Sequence, residues 1–259
     1  MPGPAATWSA PFRVWRDDRL DATRFGPVRW FESIDSTNRY VMAEAVAGAA
    51  EGLVAVADEQ RAGRGRLGRS WVAPPGVSLL VSVLLRPELS PELWHVVTLA
   101  AAVAAIDAVR ESCGIEALVK WPNDVMVDDR KLAGILSEVS GGALVVGLGL
   151  NVQWQEFPPE LAGTATACNM HTTRSVDRGE LLVAWLRALD TRLRAADDVV
   201  ATTRARSATL GRPIRVDLAG EAVEGVAVDL TAEGFLVVRR DDGREAVITA
   251  GDVVHVRRV

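Results

Sequence analysis

Lysine is the scarcest charged residue in this chain. Only Lys120 and Lys131 occur, against 27 arginines. A bias of that size is what genome composition produces. Where arginine has replaced lysine almost everywhere, the two survivors mark places that need a compact ammonium rather than a planar guanidinium. Cysteine is equally scarce. Cys113 and Cys168 lack metal-ligand spacing and read as reduced thiols in a chain without a signal peptide. The three histidines, His95, His171 and His255, are scattered. That disfavours a His/Cys metal centre and leaves a hard cation held by carboxylates or phosphates. Excess positive charge is missing too: the net charge is −5, which argues against a general nucleic-acid binder. No uninterrupted apolar run reaches the ~18 to 20 residues of a membrane span; Val96 to Val109 is broken by Asp107. A cytoplasmic protein, with neither DNA nor a membrane as partner, is the expectation.

What is present supports a sizeable core. Of 259 residues, 49% are apolar, enough for one large domain or a large plus a small one. The most pointed stretch is Glu59 to Trp71, which carries glycines at 63, 65 and 68 and arginines at 61, 64, 66 and 69. It follows the apolar run Leu53 to Ala57. Glycines let a ligand approach backbone N–H groups, and the arginines add permanent forked donors. Such a loop suits a phosphate or carboxylate. An Arg-Gly run can also be a solvated RNA-binding segment, but apolar flanks and Trp71 favour an ordered loop.

Along the chain, residues 1–27 read as a poorly ordered or loosely docked arm. A strand at Val28 to Phe31 precedes Ser36, Thr37 and Asn38. These three hydrogen-bonding side chains exceed what one helix cap needs. A helix is expected from a cap at Ser90 to about Ser112, stopping at Gly114. Residues 117–138 read as strand, Trp-Pro-Asn-Asp turn, strand, hairpin and strand. Gly147 and Gly149 alternate on one face of the next strand, clearing a slot for something flat or for a tight crossing of another strand. Residues 153–178 read as a long loop. Two helices follow, and after Gly211 come short strands with turns at 219–220, 233–234 and 242–243. The expected domains are an arm over 1–27, a catalytic domain over 28–207 and a small all-β barrel over 208–259.

Laid out in order, these blocks strongly resemble the biotin–protein ligase family. The resemblance rests on Asp35 to Asn38, Gln60 to Trp71, Lys120 to Asp124, Lys131 to Leu136 and Gly147 to Asn151. It implies an α+β fold: a mixed β-sheet catalytic domain like that of class II aminoacyl-tRNA synthetases, then an SH3-like barrel. It implies two half-reactions. Biotin and ATP, with Mg²⁺, give biotinyl-5′-AMP and pyrophosphate. The lysine amine of a biotin carboxyl carrier domain then takes the biotin and releases AMP. The short-form resemblance lacks a DNA-binding domain and implies a ligase rather than a repressor, as monomer or homodimer. For biotin it implicates Ser36, Thr37, Asn38, Gln60, Gly63, Arg64, Arg66, Lys131, Gly134, Gly147 and Gly149. For ATP it implicates Arg64, Arg66, Trp71, Lys120, Asn123, Lys131 and Asn151. Arg66, Lys131 and Lys120 are the catalytic candidates, because charge builds on the phosphorus oxygens in the transition state. Asp124 is the metal candidate. Trp71 and Trp121 also have a plain reading as loop packing.

Three alternatives stand beside this. A lipoate–protein ligase would activate a dithiolane, which has no use for a polar Ser-Thr-Gln pocket. A nucleic-acid module would use the Arg-Gly loop, against the net charge. A biotin- or nucleotide-sensing regulator would need a DNA-binding domain.

Overall fold

The computed structural model describes residues 10–218, 222–249 and 251–255. Its centre is an eight-stranded sheet in the order β1-β2-β3-β4-β8-β7-β6-β5. The strands are β1 (Phe12–Trp15), β2 (Val28–Ile34), β3 (Val54–Gln60), β4 (Ser78–Leu85), β5 (Leu118–Lys120), β6 (Asp124–Val127), β7 (Arg130–Ser140) and β8 (Ala143–Asn151). Only β2 and β3 run parallel; the other neighbours are antiparallel, so the sheet is mixed. All eight residues of β4 are buried, which explains its continuous apolar run at the middle of the sheet.

Helix α1 (Thr37–Val46) follows β2 and is capped by Ser36, whose side chain accepts from the Arg39 N–H. Helix α2 (His95–Cys113) crosses the other face and ends at Gly114 in the left-handed conformation, φ 70°. Ser90 does not cap it. A 3-10 turn at Pro91–Leu93 comes first, and the α-helix starts at His95. The segment Pro91–Cys113 is long and apolar enough to cross a membrane by length and composition. Here it is the core helix, packed against α3 (Arg178–Arg194), whose Trp185 indole donates to the Ala101 carbonyl at 3.2 Å. After α4 (Val199–Ala205), strands β9 (Pro213–Asp217), β10 (Ala222–Leu230), β11 (Leu236–Arg239), β12 (Glu245–Ile248) and β13 (Asp252–His255) form an antiparallel sheet in the order β12-β11-β10-β9-β13. The turn expected at 219–220 lies outside the described residues, as do residues 1–9.

The expected loose arm is corrected over residues 10–27. β1 pairs antiparallel with β2, and Leu20 and Phe25 are buried in the core. Arg24 is fastened to Asp190 at 2.8 Å and to Glu51 at 3.0 Å. The physical reason is an edge: without β1, the outer backbone of β2 would lie open.

Candidate active site

A pocket opens where the N-terminus of α1, the glycine-bearing strands β7 and β8, and the Gly-Arg loop converge. Ser36, Thr37, Asn38, Gln60, Arg64, Arg66, Trp71, Asn123, Lys131, Gly134, Gly147 and Gly149 all line it. These residues are scattered over more than a hundred positions of sequence. They meet because β2 ends beside β3 in parallel register, and because β8 lies between β4 and β7.

One end of the pocket is neutral and polar. Gln60 Oε1 accepts from the Thr37 N–H at 2.8 Å and from the Thr37 hydroxyl at 3.0 Å. That fixes the side-chain amide with its NH₂ on the other side, near Gly63. A Cβ on Gly63 would lie 3.2 Å from that nitrogen and 2.3 Å from the Trp71 carbonyl oxygen, so only glycine suits the position. Ser82 of β4, fully buried, donates to Asn38 Oδ1 at 2.6 Å and contacts the Thr37 hydroxyl at 2.7 Å. Asn38 Nδ2 donates to the Leu136 carbonyl at 3.1 Å and to Glu138 at 2.9 Å.

The other end is cationic. Arg66 donates to Asn123 Oδ1 at 2.8 Å and to the Gly251 carbonyl of the C-terminal sheet at 3.0 Å. Arg69 pairs with Asp252 at 3.0 Å. Lys131 pairs with Asp124 at 2.7 Å and places its ammonium 5.6 Å from the centre of a Trp71 ring. Arg66 differs from its neighbours because both of its hydrogen-bond partners are neutral. Burial pushes its pKa below the ordinary value; nearby Asp252 and Asp124 pull it back up, and Arg69 adds to the fall. A desolvated guanidinium with no carboxylate in contact among the described residues is a cation suited to a ligand that would neutralise it.

The slot expected over Gly147 and Gly149 is filled by side chains of the protein itself, the flat one being Trp71. A Cβ on Gly147 would sit 2.1 Å from Asn38 Oδ1, and one on Gly149 would sit 2.6 Å from the Trp71 ring. The missing side chains admit Asn38 and Trp71, which form the pocket wall. Trp71 therefore packs on the sheet and lines the cavity at once.

Some candidates are not brought into the cavity. Asn151 is buried with both ends of its amide engaged, by the Thr166 carbonyl at 3.0 Å and the Ser78 hydroxyl at 3.4 Å. It fastens the end of β8 to the following loop. Lys120 does not line the cavity; burial lowers its pKa, and Asp124 and Asp252 partly offset that. Gly63 supports the loop from outside the cavity. A protein-held metal does not fit these residues. Asp124 is engaged by Lys131, and among the described residues no group of three His, Cys, Asp or Glu side chains converges. Four residues went unnoticed in the sequence: Ser82, Glu138, Gly251 and Asp252. Ser82 had a signal, since a serine inside an apolar strand needs a partner. The other three had none that local pattern could supply.

Comparison with known proteins gives the family. A family model described as "Biotin/lipoate A/B protein ligase family" matches residues 30–153, and one described as "Biotin protein ligase C terminal domain" matches residues 209–256. The fold is thus that of the class described as biotin or lipoate protein ligases. A biotin–[acetyl-CoA-carboxylase] ligase of Mycobacterium tuberculosis is 38% identical over 86% of this chain and 86% of its own length. The structure of the Aquifex aeolicus biotin protein ligase with biotin and ATP aligns with a TM-score of 0.80 at 28% identity, covering 89% of this chain and 99% of that one. The Leishmania major enzyme with biotinyl-5-AMP aligns with a TM-score of 0.63 at 26% identity, covering 86% and 98%. The chain belongs to the biotin protein ligase family.

Proposed function

We propose that the chain activates biotin with ATP and transfers it to a lysine of a biotin carboxyl carrier domain. The observation that carries this reading is Arg66: a largely buried cation held by two neutral oxygens, between a neutral polar recess and Lys131. The recess suits a ureido ring, which needs neutral donors and acceptors from Ser36, Thr37 and Gln60. In the first step a biotin carboxylate oxygen bonds to the α-phosphorus of ATP, and the bond to pyrophosphate breaks. Two anions must meet for this, so cations placed beforehand lower the barrier. Arg66 and Lys131 are assigned to the phosphoryl oxygens, with Arg64 toward the carboxylate. Lys120, which does not line the cavity, adds positive potential rather than contact. In the second step the carrier amine bonds to the acyl carbon, AMP leaves, and the amine sheds its proton. Mg²⁺ would arrive with the triphosphate, and no step is assigned to it.

Trp71 and the loop wall the cavity and slow hydrolysis of the anhydride by excluding water. Lipoate is the second reading; its dithiolane offers no hydrogen-bond partner to the polar Thr37–Gln60 recess. The deciding experiment is ATP–pyrophosphate exchange with biotin and with lipoate in parallel. Exchange with biotin alone is expected. Exchange with lipoate alone would move the assignment to the sister activity, and exchange with neither would end the ligase reading.

A further inference from the structure

One carboxylate outside the cavity ties its neutral end to the Gly-Arg loop. Glu138 lies on β7 with its side chain 22% exposed, and a single oxygen, Oε2, accepts from Asn38 Nδ2 at 2.9 Å and from Arg64 Nη2 at 2.8 Å. Asn38 belongs to the first turn of α1 and Arg64 to the loop, so this oxygen joins two elements that share no strand pairing. Asn38 in turn depends on the bare Gly147 and on Ser82, the residue that also touches Thr37. A line of contacts therefore runs from Gln60 through Thr37, Ser82 and Asn38 to Glu138 and Arg64.

The second half of the loop is held elsewhere. Arg66 is fixed by Asn123 and Gly251, and Arg69 by Asp252. Besides the pair of Arg61 with Asp35 at 2.9 Å, the loop thus has an anchor at each end of the pocket. Glu138 also sets the distribution of charge. It pairs with Arg64, whereas Arg66 has only neutral hydrogen-bond partners among the described residues.

We propose that Glu138 is a positioning residue for the biotin end of the pocket. It holds Arg64 and Asn38 in place without touching substrate, and it sets the affinity for biotin separately from the affinity for nucleotide. This rests on the biotin ligase reading above.

The test uses Glu138→Gln, which keeps size and an acceptor for Asn38 but loses the charge that grips Arg64, together with Glu138→Ala. Biotin-dependent pyrophosphate exchange is measured with biotin varied at saturating ATP and then the reverse, beside thermal unfolding of each variant. KM for biotin is expected to rise roughly tenfold in Glu138→Gln, the size of one charge-assisted hydrogen bond. It should rise further in Glu138→Ala, while KM for ATP stays within about twofold. An unchanged KM for biotin in a folded Glu138→Gln overturns the proposal. So does a parallel rise of both KM values, which would mean general loosening. If Glu138→Ala fails to fold, Glu138→Gln decides alone. Absence of exchange in the unaltered protein would overturn the ligase reading itself and this role with it. Exchange there, with an unmoved Glu138→Gln, overturns the positioning role only.

Discussion

At the scale of single residues, the pocket depends on what glycine omits. Gly147 and Gly149 give their space to Asn38 and Trp71, so each glycine acts through a neighbour's position. Gly147→Ala would place a methyl group 2.1 Å from Asn38 Oδ1. The amide must then leave Ser82 and Glu138. The expected result is a fold weakened by roughly 1–3 kcal/mol, as overpacking costs, and biotin binding reduced far more than that loss explains. Urea unfolding and calorimetric titration with biotin would check the two halves, and wild-type affinity in the variant would contradict the arrangement. Sequence revealed that something must lie against these glycines, because period-two glycines in an apolar strand have few other uses. It could not reveal what. Asn38 is 109 positions before Gly147, and only the sheet order brings them together.

At the scale of elements, the strands around the site were readable and the edge was not. β4, β7 and β8 announce themselves by apolar content and bounding turns. β1 has four residues, Phe12-Arg13-Val14-Trp15, after a proline, and so short a pattern does not separate a strand from extended coil. Its pairing with β2 is what makes it a strand. Phe12 lies over Phe31 with ring centres 5.5 Å apart, and Trp15 over Trp30 at 5.9 Å, so the edge strand also shields two core aromatics. Removing residues 1–16 is expected to lower the melting temperature by roughly 2–4 °C for each kcal/mol lost in a chain of this size. It should also promote self-association through the bared β2 edge. A thermal scan with light scattering reads both, and an unchanged melting point would show that β1 contributes nothing. The Gly-Arg loop is the converse case. Its composition pointed to an anion site at once, yet its anchors, Glu138, Asn123, Gly251 and Asp252, lie on three other segments that no local pattern connects to it.

At the scale of the whole molecule, two sheets share one site. The C-terminal sheet reaches the pocket through Gly251 and Asp252, and the turn between β10 and β11 docks on the core, where Trp121 donates to the Gly234 carbonyl at 3.1 Å and His95 stacks on Phe235 with ring centres 4.4 Å apart. Nucleotide handling should therefore respond to the second sheet. Asp252→Ala is expected to raise KM for ATP several-fold, about the strength of one exposed to half-buried ion pair, and to leave KM for biotin near its starting value. Steady-state exchange kinetics would read this, and a shift in biotin rather than ATP would reverse the assignment of ends. The two-part organisation was legible from the change of texture after Gly211, but the dependence of one part's loop on the other was not. That dependence also has an order in time. The carbonyl that holds Arg66 lies 185 positions further along the chain. During synthesis the pocket, its glycines and its arginines are all made before their last fastening. A polypeptide stopped before residue 251 would carry every cation of the loop and lack the clasp that aims Arg66 and Arg69, so competence to activate a substrate would come only with the final strand.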